Sequence, residues 1–119
     1  MPGACNIGPA EIARRRRVGH AGVIATVALA AVLLALDAAP AWRLVLALPA
    51  SLAAAGYLQA WLRFCADFGW RGVYNFGALG REERVADDQA RAQDRRRALL
   101  VGAGSGAIGL AVALVSLLL

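Results

Sequence analysis

The chain has no lysine, one histidine and two cysteines, and none of its three longest apolar runs contains a charged side chain. Each scarcity excludes something. Carriers ordinarily meet their cargo with an ionisable group in mid-membrane. Here the polar candidates in the runs are Thr26, Ser51, Gln59 and Ser105, each able to hydrogen-bond its own helix, which argues against proton-coupled export. Two cysteines do not make a disulfide framework, and thiols on the cytoplasmic side of a membrane stay reduced. A soluble domain has no room either, because the runs leave only a short amino-terminal segment and one loop of about 35 residues.

What the chain has in abundance is hydrocarbon. Of its 119 residues 60% are hydrophobic, and the mean hydropathy is +0.56. Val18 to Leu36, Leu44 to Leu62 and Ala98 to Leu119 are each long enough to cross about 30 Å of hydrocarbon at about 1.5 Å per residue. The reading is an all-α membrane protein forming a single membrane domain over 1–119. It has a short amino-terminal interfacial helix (1–17) and three transmembrane helices, with the first two spans at 18–37 and 43–63. An interfacial aromatic and glycine segment (64–80) follows, then a cytoplasmic helix over 81–97 that continues into the third span, 98–119. Four arginines, an apolar run and Ala39-Pro40-Ala41 imitate a cleaved leader, but the run exceeds the usual leader core and is read as a retained anchor.

The net charge of +5 comes from arginine alone. Arg14, Arg15, Arg16 and Arg17 precede the first span, and eight more, from Arg63 to Arg97, lie between the second and third. Only Arg43 lies between the first and second, so the division is twelve against one. Cytoplasmic segments retain arginine, which places the amino terminus and the long loop inside and the carboxyl terminus outside. The all-arginine, alanine-rich composition suggests a GC-rich bacterial genome, and hence the bacterial inner membrane. Beside spans, the arginines suit anionic head groups, at about 1 kcal/mol each, better than nucleic acid. Arg14, Arg15, Arg16, Arg17, Arg95, Arg96 and Arg97 are the expected head-group contacts.

Pro9 and Glu11 suit a first helical turn, and Gly19 with His20 mark the start of the first span. Asp87 with Arg91, and Asp94 with Arg97, are spaced for pairing along a solvated helix. Gly104-Ser105-Gly106-Ala107-Ile108-Gly109 matches a dinucleotide fingerprint, yet too little chain follows for a second strand. In lipid the same residues make Gly102-x-x-x-Gly106 and Ser105-x-x-x-Gly109, a smooth face for close helix packing. Its partner is either the hairpin of the same chain, with Ala31 and Ala35 or Gly56 and Ala60 as receiving faces, or a second copy.

No catalytic residue, cofactor or firm metal site is read from the sequence. Cys5 and Cys65 fall at similar depth on the inner side, with His20 close by, and form the candidate thiol or metal site. Inert cysteines are the simpler reading.

Asn6-x-Gly8-x-x-Glu11-x-x-x-Arg15-x-x-x-Gly19, followed by a span, then Gly56 and Phe64-Cys65 closing the next, resembles the YgaP-like inner-membrane domain family over residues 5–67. Ile12 stands where that family favours arginine, its Cys-Pro-x-Tyr variant is absent, and the third span has no counterpart. The resemblance implies a membrane hairpin that tends to dimerise, with a link to sulfur handling that singles out Cys65. It does not carry sulfurtransferase activity, since no rhodanese loop exists here. The leading expectation is therefore a non-enzymatic structural or interaction module, self-associating or packing with a membrane partner. A cytoplasm-facing thiol or metal site is the alternative, and a small oligomeric pore the third reading.

Overall fold

In a computed structural model, which describes residues 6–118, three helices are long and apolar enough to cross a membrane. The first, α1, runs unbroken from Pro9 to Ala35 with proline in its first turn. No helix breaker lies at residue 17 or 18, so residues 9–17 of the expected interfacial segment continue into the first apolar run as one helix. Residues 1–5 of that segment lie outside the described residues.

Asp37, at φ 52°, turns the chain, and a 3₁₀ helix (Pro40–Leu46) leads into α2 (Ala47–Leu62). Pro49 accounts for the change of helix type: lacking an N–H, it cannot close the α-type bond to residue 45, and the tighter coil precedes it. Arg63, at φ 55°, ends α2 in the left-handed region. A short helix, α3 (Ala66–Arg71), follows. Then β1 (Val73–Tyr74) pairs antiparallel with β2 (Glu83–Arg84), and α4 runs from Asp88 to Ser116.

The helix expected from Arg81 thus begins seven residues later. Val85 is buried and donates its amide to the Gly72 carbonyl at 2.8 Å, which holds residues 83–85 extended. Asp87 then caps α4, its carboxylate accepting from the Gln89 amide at 3.2 Å. Arg91 consequently pairs with Asp88 instead of Asp87. The 64–80 segment is partly helical, as expected, and adds a strand that the sequence reading did not contain.

The spans meet through their smallest residues. α1 and α4 both pack on α2 and scarcely touch one another. Buried positions in the spans include Gly19 and Gly22 of α1, Ala50, Ala53, Ala54, Gly56 and Ala60 of α2, and Ala98, Ser105, Gly109 and Ala113 of α4. Val27, Leu48, Leu52, Leu100 and Leu114 point outward. Lipid solvates leucine as well as a neighbouring helix does, so close backbone approach holds the bundle together. At Gly22 an added Cβ would lie 2.5 Å from the Ala53 amide nitrogen, and at Gly109 it would overlap Ser51. Gly19 meets Gly56 and Gly22 meets Ala53, while Gly109 meets Ala47 and Gly104 approaches Leu58. Both pairings run in opposite directions, so the three spans go up, down and up. The described residues extend 53 × 25 × 17 Å.

The two ends differ chemically. Arg43 sits at one, where its guanidinium donates to the Ser116 carbonyl at 3.0 Å and caps α4. At the other end, which also carries the α3–β1–β2 corner, lie the remaining arginines.

Candidate functional site: a buried thiol at the arginine-rich end

Residues Asn6, Gly8, Glu11, Arg15, Phe64 and Cys65, far apart in sequence, converge where α1 meets the end of α2. Asn6 is fully buried and works as a stitch. Its Oδ1 accepts from the Cys65 amide at 2.6 Å, and its Nδ2 donates to the Cys65 carbonyl at 3.1 Å. Its own amide donates to the Arg63 carbonyl at 3.0 Å, while its carbonyl accepts from Asn75 at 2.8 Å. The left-handed turn at Arg63 makes this possible by ending α2 and turning backbone groups toward the amino-terminal segment. Gly8 completes the corner, because a Cβ there would collide with the Phe76 carbonyl. Its amide donates to Asn75 at 2.8 Å.

Beneath the stitch lies an ionic pair with a sulfur. Glu11 is 1% exposed and forms a 2.9 Å salt bridge with Arg15, one helical turn on. The second terminal nitrogen of Arg15 donates to Cys65 Sγ at 2.8 Å. Cys65 is itself 2% exposed, in a cluster with Ile7, Phe68 and Val73. The Arg15 guanidinium also stacks over Phe68, 5.6 Å from the ring centre, and Arg71 lies 5.5 Å from the same ring. Arg71 is held by Asp67 and Glu82, and it keeps the Glu82 carboxyl below the usual carboxylate range. That clamp stands at neutral pH and loosens as pH falls through the lowered Glu82 value.

Other candidates lie elsewhere. His20 Nδ1 contacts the Tyr57 hydroxyl at 2.6 Å on the exposed surface, and Cys5 lies outside the described residues. Among the described residues no group of three histidine, cysteine or acidic side chains is spaced to hold a metal. Of the expected head-group arginines, Arg14, Arg16, Arg17 and Arg96 are exposed. Arg15 is engaged with Glu11 and Cys65. Arg95 stacks on Trp70 and Arg97 on Phe64. On α4 the four packing candidates divide: Ser105 and Gly109 are buried, while Gly102 and Gly106 have nothing within 4 Å of an added Cβ.

Sequence reading missed Asn6 and Arg15 as partners of Cys65, along with the burial of Glu11. The Glu11–Arg15 spacing of four was the visible signal. No protein-family model matches the chain, and no curated protein or solved structure matches it either.

Proposed function

We propose that this is a small multi-pass protein of the bacterial inner membrane, amino terminus inside, that acts as a non-enzymatic interaction module by self-association through α4. One observation carries the reading. Gly102 and Gly106 sit four residues apart with open space around them, flanked by exposed Ala103 and Ala107, while the neighbouring Ser105 and Gly109 are already taken by α2. An exposed small-xxx-small face lets a second helix approach to backbone contact, where dispersion and weak Cα–H bonds act without water.

Replacing Gly102 and Gly106 together with leucine is expected to shift the oligomer to monomer in detergent or bilayers while leaving monomer stability unchanged, since neither side chain meets the bundle. Energy transfer between labelled copies in liposomes measures this. An unaltered oligomer distribution would remove the packing claim.

The orientation rests on the arginine distribution and has its own test. A single cysteine at Ala39 is expected to react with an impermeant maleimide on intact spheroplasts, and one at Ala78 only after permeabilisation; the reverse pattern would invert the topology.

A second reading, a working thiol, is favoured by the Arg15 guanidinium on Cys65 Sγ. The burial of Cys65 and its stitching by Asn6 fit a structural latch better.

A further inference from the structure

A groove of about 680 Å³ opens between the start of α1 and the end of α2. Its walls include Ile12, Trp61 and Phe76, and Arg16 and Arg63 line it as well. Ile12 and Arg16 are one helical turn apart and share a face of α1. Arg63 belongs to the left-handed turn that Asn6 pins in place. No acidic side chain lines the groove, and neither Arg16 nor Arg63 makes an ion pair among the described residues. The contrast with the next arginine-lined hollow is informative. There Arg91 is already paired with Asp88 and Arg95 stacks on Trp70. The acid nearest in sequence to Ile12, Glu11, is buried against Arg15 and its charge is already matched.

We infer that this groove is a site for the phosphate head group of an anionic phospholipid, such as a phosphatidylglycerol. Two unmatched guanidiniums supply forked donors for phosphate oxygens, which a zwitterionic lipid satisfies less well because its own cation competes. The indole of Trp61, 79% exposed, lines the same groove, and such rings favour the layer of glycerol backbone and first methylenes. Guanidinium and aromatic carbon in one groove match an amphiphile, whereas a soluble phosphate would use only the charged groups. The inference rests on the multi-pass reading, and the test separates the two.

The full chain, with Trp42 and Trp70 replaced by phenylalanine, is reconstituted with brominated phosphatidylglycerol or brominated phosphatidylcholine, and quenching of Trp61 is followed. Phosphatidylglycerol is expected to quench at roughly thirtyfold lower mole fraction, the scale set by two guanidiniums at about 1 kcal/mol each near an anionic surface. Arg16→Gln with Arg63→Asn should abolish that preference; asparagine tolerates the left-handed backbone, so the corner keeps its shape. Arg14→Gln with Arg17→Gln removes the same charge outside the groove and should retain most of it. Equal quenching by both lipids, or equal losses in the two double variants, would overturn the site. Quenching by neither lipid would overturn the membrane reading itself. Millimolar glycerol phosphate should leave the preference intact. Displacement by it would assign the guanidiniums to a soluble phosphate and overturn the lipid.

Discussion

Replacing Gly56 with alanine is expected to pry the first two spans apart and to cost about 3 kcal/mol, the upper part of the usual range for overpacking. The added methyl would overlap the Gly19 amide nitrogen and lie 2.7 Å from the Arg15 carbonyl oxygen and 2.8 Å from the Gly19 Cα. All three are backbone atoms of a continuous helix, so no rotamer change relieves the clash and α1 must move as a rod. The displacement also strips contact from Gly22 and Ala53 further along the crossing, where the fit is equally close. Gly102→Ala is the control, because its new methyl meets nothing and alanine favours the helix. Equilibrium unfolding in mixed micelles, read by circular dichroism, compares them. Equal midpoints would mean that α1 and α2 do not cross at this position.

The second large effect is expected at Arg15. Arg15→Met should destabilise the corner by about 3 kcal/mol or more, because it leaves the Glu11 carboxylate buried without a partner. Glu11→Gln with Arg15→Met removes both charges and is expected to recover much of that loss. A double-mutant cycle then yields the coupling. The sulfur reports the same event chemically. With Cys5 replaced by serine, Cys65 should resist N-ethylmaleimide in the parent chain and label roughly tenfold faster for each 1.4 kcal/mol by which Arg15→Met lowers local opening. A Cys65 that reacts quickly in the parent would favour the working-thiol reading over the latch.

The three long apolar helices were legible because length and absence of charge are local properties. The small-residue logic was legible too: glycines four apart on α4 announce a smooth face. Which glycines face α2 and which face outward was not, because that division follows from the angle at which two helices cross. Gly19 illustrates the limit. Read locally it marked the start of a span, whereas its role is to receive Gly56 across the hairpin.

The corner around Cys65 was the least visible part. Asn6 and Cys65 are separated by 59 positions, and a buried asparagine satisfying four backbone bonds has no periodic signature. Glu11 was read as a partner for the helix dipole, which requires only an exposed carboxylate near a helix start. Here it is 1% exposed and paired with Arg15, whose other nitrogen reaches Cys65 from a distant part of the chain. The late start of α4 has a similar origin, since Val85 is drawn into the sheet by a Gly72 carbonyl thirteen residues earlier. The family resemblance gathered the same residues by pattern, without indicating that they touch.

Arg43 bears on biogenesis. Its contact with the Ser116 carbonyl joins residues 73 apart and can form only once the last helix has left the ribosome. The crossing of α1 and α2 needs no later residue, so that hairpin can pack before α4 is made, leaving the Arg43 cation to be matched by it. Arrival of the negative pole of α4 neutralises it, so the last helix to be made is also the one that fastens the bundle.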